Sequence, residues 1–229
     1  MKQYVCVFDF ETNGQKPSLC EPVQLAGLML NPNTLDVVKE SIFCSDMRPP
    51  DIEDEDFCKK YKDNIAWHAN NYKVKPQEIF EKWKNAPEQS EVWTKWKTYL
   101  KKWNKNQSHR TMWTAPIRAG HNVTHFDIPI MDRLCVRYKD LQKNGEQKLF
   151  YPRDIIDIKV LAFNWFENLP EPEAYNMHDL RLYFGLSIEN SHDALKDIED
   201  EAWMISRFFR IQRQFAKKVK FKNAYNNQQ

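Results

Sequence analysis

The sequence lacks three features that would place it in a large class of proteins. No segment has the roughly 18 consecutive apolar residues that a membrane-spanning helix requires, so a membrane protein is not expected. The five cysteines form no CxxC pair and are odd in number, which argues against a disulfide framework or a structural zinc site. A strong charge excess is also absent: 34 Lys and Arg nearly balance 32 Asp and Glu, so net charge predicts no polyanionic partner.

The composition is typical of one soluble globular domain, which we predict to span residues 1–229. With 41% hydrophobic and 29% charged residues, the chain can bury a sizeable core, which excludes disorder and a collagen-like structure. Met1 leads directly into alternating residues 4–8, without the segments of a signal peptide. Because the cysteine pattern also favours a reducing compartment, we expect a cytoplasmic protein of a cell or of a phage-infected host.

Three strands are predicted at the start of the chain. Residues 3–11, 23–30 and 35–43 are apolar or alternate with period two, and many are β-branched or aromatic. The turn sequence Asn-Pro-Asn-Thr at 31–34 predicts that the second and third strands pair as an antiparallel hairpin. Residues 46–75 combine a proline pair, an acidic run and scattered aromatics, which predicts a loop-rich excursion from the sheet.

Helices alternate with strands beyond residue 75. Four apolar residues recur at helical spacing over 93–103, and because three tryptophans share this face, a core role is favoured over nucleic-acid binding. A long helix is predicted from about residue 192, followed by a basic, frayed tail at 217–229. The other predicted elements are a helix from Pro76, a strand at 117–120, a helix at 126–138, a strand at 155–158 and a helix at 159–166. This order predicts an α/β fold with one mixed sheet.

Two carboxylates lie at the end of the first predicted strand. Asp9 and Glu11 are two residues apart, so both side chains project from the same face of that strand. Such a pair is self-repelling unless a cation neutralises it, and carboxylate oxygens favour Mg²⁺ or Mn²⁺. Taken alone, a DxE pair is more typical of a solvated strand end than of a metal site.

Two further polar clusters mark the start of predicted helices. Residues 120–127, Gly-His-Asn-Val-Thr-His-Phe-Asp, place Asp127 in a first helical turn, where complementation of the helix dipole is the alternative role. Residues 192–197, His-Asp-Ala-Leu-Lys-Asp, open the long C-terminal helix and place Asp197 beside its buried stripe. The alternative there is a capping His192 and a solvated Asp197.

The order of these clusters resembles that of a known family. DxE on the first strand, NxxxFD at a strand-to-helix junction and HxAxxD on the last helix resemble the three motifs of the DnaQ-like, or DEDDh, 3′–5′ exonucleases. All five signature positions are filled. Residues 155–157 and 180–186 also resemble the family's approach to its third motif. The resemblance implies an RNase H-like fold, with a five-stranded mixed sheet flanked by helices.

The same resemblance implies metal-dependent hydrolysis. By resemblance, His192 is the general base and two divalent ions, Mg²⁺ or Mn²⁺, are held by Asp9, Glu11, Asp127 and Asp197. Two ions roughly 4 Å apart suit phosphodiester hydrolysis because they activate water and stabilise charge on the phosphoryl oxygens. The implied reaction releases nucleoside 5′-monophosphates from the 3′ end of single-stranded or frayed nucleic acid, with DNA favoured over RNA.

Six more residues are candidates for substrate binding: Thr12, Asn13, Gly14, Trp67, Tyr72 and Asn122. The first three follow the first motif, where family members contact the terminal nucleotide, although Asn13 replaces the commoner threonine. Trp67 and Tyr72 belong to a segment that resembles the loop that stacks on the 3′ base. Asn122 belongs to the second motif.

Other functions stay open at the level of sequence. A non-catalytic end-binding or scaffold module would have the same fold, although a retired site usually loses a signature residue, and an exoribonuclease would carry the same motifs. An interaction protein that uses the Trp-rich helix ranks last because it leaves the carboxylates unexplained. The expected partner is a single-stranded DNA or RNA 3′ end. A separate polymerase or replication protein is a second candidate partner, for a proofreading subunit, and no membrane partner is expected.

Overall fold

A five-stranded mixed sheet forms the centre of the computed structural model, which describes residues 2–188 and 193–219. The strands are β1 (Val5–Thr12), β2 (Pro22–Leu30), β3 (Phe43–Asp46), β4 (Ile117–Gly120) and β5 (Ile155–Asp157). Their order is β3-β2-β1-β4-β5. Strands β1, β2 and β3 pair antiparallel, whereas β4 pairs parallel with β1 and β5 parallel with β4. The predicted five-stranded mixed sheet of an α/β fold is confirmed.

Helices cover both faces of this sheet. They are α1 (Phe57–Lys60), α2 (Lys62–Tyr72), α3 (Pro76–Lys84), α4 (Gln89–Lys102), α5 (Asp127–Arg137), α6 (Ile158–Phe166), α7 (Met177–Phe184) and α8 (Ala194–Lys218). Side chains of β1 alternate between two cores. Cys6 and Phe8 pack with α4 and α5, whereas Val5 and Val7 pack with α6, α7 and α8. Strand β1 is therefore buried on both faces, and residues 9–12 at its carboxyl end line a cavity.

The tryptophans of α4 belong to the core, as their spacing predicts. Trp93 and Trp96 are almost completely buried, and the indole N–H of Trp93 donates to Asp140 Oδ2 at 2.7 Å. Strand β2 makes room for Trp96 at Gly27, where a Cβ atom would lie 2.6 Å from the indole ring. Any larger residue at position 27 would push this helix away from the sheet.

The third predicted strand is wrong in its position. Residues 35–43 were expected to be extended, but β3 begins only at Phe43. Leu35 and Glu40 adopt left-handed backbone conformations with φ of 64° and 61°, which interrupt an extended chain. The predicted antiparallel pairing with β2 is nevertheless present, with Gly27 opposite Phe43.

Half of the predicted loop-rich excursion at 46–75 is helical, because α1 and α2 lie within it. Phe57, Tyr61, Ile65 and Ala69 recur every four residues along α1 and α2 and pack against Trp83 of α3, forming a third hydrophobic cluster. The prolines and the acidic run precede these helices. They led to the prediction of a loop, although the apolar residues that follow have helical spacing.

The C-terminal helix α8 continues to Lys218, two residues into the predicted frayed tail, and residues 220–229 of that tail lie outside the described residues. Across 2–188 and 193–219, no helix is long and apolar enough to cross a membrane. The assignment of residues 1–229 to a single domain stays a prediction.

Candidate active site

Three carboxylates from two distant parts of the chain meet at the carboxyl end of β1. Asp9 and Glu11 project from the same face of the strand, as their spacing predicts, and Asp197 approaches from α8. One carboxylate oxygen from each lies within 4.8 Å of the other two. Oxygen ligands at this separation fit a divalent cation such as Mg²⁺ or Mn²⁺.

Asp127 joins this group from the second motif. It lies in the first turn of α5, is only 2% exposed, and its Oδ1 accepts a hydrogen bond from the backbone N–H of Phe10 at 3.1 Å. Because Phe10 stands between Asp9 and Glu11, this bond fixes Asp127 to the segment that carries the first motif. All four predicted carboxylates therefore line one cavity.

Burial and mutual repulsion raise the pKa values of these acids. The pKa of Asp9 lies well above its usual range because of desolvation first and the negative charge of Asp127 second. Desolvation also raises the pKa of Glu11, with Asp197 as the next cause. Burial raises the pKa of Asp127 to about 8. Cations would relieve this repulsion, so the electrostatics of the donor set fit divalent ions as well as its geometry does.

Two contacts fix the position of Asp197 by anchoring the start of α8. Asp193 is the N-cap residue, and its Oδ1 accepts from the backbone N–H groups of Leu195 and Lys196. The backbone N–H of Ala194 donates to Gln24 Oε1 on β2 at 3.1 Å. His192, the predicted general base, lies outside the described residues.

An ion pair with a buried arginine also fixes the side chain of Asp197. Arg181 of α7 is 2% exposed, and its guanidinium donates to Asp197 Oδ1 at 2.6 Å and to Asp200 Oδ2 at 2.8 Å. Sequence analysis missed this residue because its partners lie 16 and 19 positions away and no local spacing links them. The ion pair orients the Asp197 carboxylate and offsets part of the negative charge of the site.

The carboxylates lie in a cavity of about 1040 Å³. This volume is at the upper end of the range for small-molecule sites, about 300–1,000 Å³. Of the predicted substrate-binding residues, four line the cavity: Thr12, Gly14, Trp67 and Asn122. The Trp67 side chain is 42% exposed, so its ring is accessible at the edge of the cavity. Lys16, Lys159 and His178 also line it and were missed from the sequence, because isolated basic residues carry no motif.

Two predicted substrate-binding residues do not line the cavity. Asn13 is fully buried, and its Oδ1 accepts from the backbone N–H of Glu21 at 2.7 Å, so its role is to hold the chain between β1 and β2. Tyr72 stacks on His68, with 6.2 Å between ring centroids. Because Trp67 and Tyr72 are five residues apart on α2, they point about 140° apart around the helix, and only Trp67 reaches the cavity.

Asp157 supports the segment that carries the second motif. Its carboxylate accepts from the backbone N–H groups of Asn122, Thr124 and Lys159, with Asn122 held at a φ of 52°. His121, next in the chain after β4, binds the backbone oxygen of Tyr175 through Nε2. These contacts fix the strand-to-helix junction that delivers Asp127.

Without divalent ions, the protein is expected to become less stable as pH rises. A carboxyl group with a raised folded-state pKa, such as Asp127 at about 8, binds its proton more tightly when folded than when unfolded. Its stabilising contribution is present below an unfolded pKa of about 4 and is lost as pH rises through the folded pKa. We expect the melting temperature in EDTA to fall by about 5–10 °C between pH 5 and pH 9.

Thermal melts in EDTA and in excess Mg²⁺ or Mn²⁺ across this range measure the effect. The ions should flatten the dependence, because they bind the ionised carboxylates of the folded state. Asp127→Asn should reduce the slope in EDTA. Equal slopes with and without ions would contradict the cation-binding interpretation.

The fold matches solved structures of exonuclease I. E. coli exonuclease I in complex with a dT13 oligonucleotide has a TM-score of 0.63 and 15% identity, and the match covers 94% of this chain and 43% of that one. A moderately thermophilic exonuclease I from Methylocaldum szegediense has a TM-score of 0.60 and 16% identity, over 93% of this chain and 41% of that one. The chain therefore spans less than half the length of these proteins. It has the RNase H-like fold of exonuclease I, as predicted.

Sequence comparison adds no closer relationship. No model of a protein family and no curated protein matches the chain.

Proposed function

We propose that the chain is a metal-dependent 3′–5′ exonuclease of the DnaQ-like type that acts on single-stranded DNA. One observation carries the proposal: carboxylate oxygens of Asp9, Glu11 and Asp197 converge within 4.8 Å in a cavity wide enough for a nucleotide. Asp9 and Glu11 come from the first motif of the resemblance and Asp197 from the third, and sequence spacing alone does not require these two motifs to meet. The exonuclease I fold supports the same conclusion.

Each side chain of the site has a distinct role in the proposed reaction. The carboxylates of Asp9, Glu11, Asp127 and Asp197 would hold two divalent ions, Mg²⁺ or Mn²⁺. Bound ions supply an activated water and offset charge on the phosphoryl oxygens. His192 would take the proton from the attacking water. The 3′ oxygen of the penultimate nucleotide would leave, and it would become the new 3′ end of the strand.

Substrate binding would use the rest of the cavity. Lys16 and Lys159 line it and would attract the phosphate backbone, and Gly14 and Thr12 lie beside the carboxylates. Solved exonuclease I structures contain dT13 and dA16 oligonucleotides, and on the shared fold we favour DNA over RNA for this chain. A separate polymerase or replication protein as partner stays a prediction.

Trp67→Ala is expected to weaken binding of single-stranded DNA by about 5- to 150-fold, since base–aromatic stacking contributes about 1–3 kcal/mol per base. The side chain is 42% exposed, so its loss should leave the melting temperature nearly unchanged. Fluorescence anisotropy of a labelled oligonucleotide measures the affinity, with Asp9→Asn present in every protein to prevent cleavage. Trp113→Ala is the matched control, because Trp113 is 47% exposed and does not line the cavity.

The function is tested by digestion of 5′-labelled single-stranded DNA and its RNA counterpart in Mg²⁺, Mn²⁺ or EDTA. We expect a metal-dependent ladder that shortens from the 3′ end of DNA, with nucleoside 5′-monophosphates as products. A ladder with RNA alone would identify an exoribonuclease. Binding of the 3′ end without cleavage of the DNA or the RNA would favour the non-catalytic end-binding module.

A further inference from the structure

A buried glutamate lies beside the proposed metal centre, outside all three sequence motifs. Glu201 follows Asp197 by four residues on α8, so the two side chains lie on the same face, one turn apart. Glu201 is 2% exposed and lines the same cavity as Asp9 and Asp127. Its position one turn beyond a motif residue is the signal in the sequence that marks it.

The two carboxylate oxygens of Glu201 differ in their surroundings. Oε1 accepts a hydrogen bond from the backbone N–H of His121 at 3.1 Å, which fixes the side chain against the end of β4. Oε2 is buried and, among the residues that the structure describes, has no hydrogen-bond partner. A buried carboxylate oxygen left without a partner is costly in free energy, so this atom requires a cation or a proton.

Nearby basic side chains are engaged elsewhere. Arg181 donates to Asp197 and Asp200, and Lys196 donates to Asp200. Neither forms an ion pair with Glu201 within the described ranges. Burial raises the pKa of Glu201 well above its usual range, and the negative charges of Asp127 and Asp197 are the next causes. Glu201, with its unpartnered oxygen, therefore belongs with the other acidic side chains that line the cavity.

We propose that Glu201 is a fifth carboxylate of the metal centre, and that its Oε2 binds, through one water molecule, a divalent ion held by Asp9 and Asp127. This inference rests on the proposed function. The ion on the Asp127 side is favoured because Glu201 is fixed to His121, in the junction that delivers Asp127. Charges also match: Lys196 pairs with Asp200, and two divalent ions with the Arg181 guanidinium balance five carboxylates.

Glu201→Gln separates this role from a purely structural one. The amide oxygen can still accept from the His121 N–H, so the hydrogen bond is kept while the charge is removed. The matched control is Glu199→Gln, which removes a charge from an exposed position on the same helix.

Calorimetric titration of the metal-free proteins with Mn²⁺ tests the proposal. We expect two ions in the wild type, an affinity for one of them lower by about 10- to 100-fold in Glu201→Gln, and no change in Glu199→Gln. The melting temperature of metal-free Glu201→Gln should equal or exceed that of the wild type, because a buried unpaired charge has been removed.

Three outcomes would overturn the proposal in different ways. Two-ion binding of unchanged affinity in Glu201→Gln would remove Glu201 from the metal centre and leave the proposed function intact. A large loss of metal-free stability with unchanged Mn²⁺ affinity would show that its role is structural. Wild-type protein that binds no Mn²⁺ and cleaves neither strand would overturn the proposed function and this inference together.

Discussion

Asp9→Asn is expected to reduce the rate of DNA hydrolysis by about 10³-fold or more, because several kcal/mol of charge stabilisation depend on bound cations. Burial raises the pKa of Asp9 most, and the negative charges of Asp127, Glu11, Glu201 and Asp197 raise it further. Asparagine keeps the size of the side chain and loses the anionic ligand. Release of nucleotides from 5′-labelled single-stranded DNA measures the rate.

The fold of Asp9→Asn should be unchanged. The backbone of residue 9 is paired with Ala26 in the centre of the sheet, independent of the side chain. Since burial and repulsion disfavour the Asp9 charge, the metal-free melting temperature should equal or exceed that of the wild type. Asp132→Asn is the control, because Asp132 is half exposed on α5 and lines a different cavity. Hydrolysis by Asp9→Asn at the wild-type rate would refute the two-ion site.

The sequence predicts the fold well where apolar periodicity is strong. Strands β1, β2, β4 and β5 and the long helix lie close to their predicted positions, because each buries a continuous apolar face. The third strand was misplaced because the left-handed conformations of Leu35 and Glu40 leave no trace in hydrophobic pattern. The helices at 57–72 were missed because turn-forming composition next to them outweighed a four-residue apolar spacing.

Prediction of the site depends on whether its contacts are local. Asp9 and Glu11 share a face because of strand geometry. The resemblance to a family with three motifs predicted that Asp127 and Asp197 lie beside them. Arg181 could not be predicted, because its partners on α8 are set by how two helices pack. Asn13 was assigned to substrate because it follows the first motif, whereas its orientation is set by the backbone of Glu21, eight residues away.

His192→Ala is expected to lower the rate of hydrolysis by about 10²–10⁴-fold, the usual contribution of a general base. Affinity for Mn²⁺ should persist, because in the proposed site His192 is not a ligand. Helix α8 should also start at the same place, since it is capped by Asp193 and anchored through Ala194 to Gln24. Asp197 would then keep its position, and the loss would report on proton transfer rather than on metal binding.

The dependence of rate on pH distinguishes His192 from other bases. An imidazole must be neutral to accept a proton, so the wild-type rate should decline at acid pH as the base becomes protonated. His192→Ala should lose this decline together with most of the rate. His178 also lines the cavity, from α7, and is the competing histidine. If His178→Ala removes the decline at acid pH and His192→Ala keeps it, the base is His178. The third motif would then contribute Asp197 to the site but no general base.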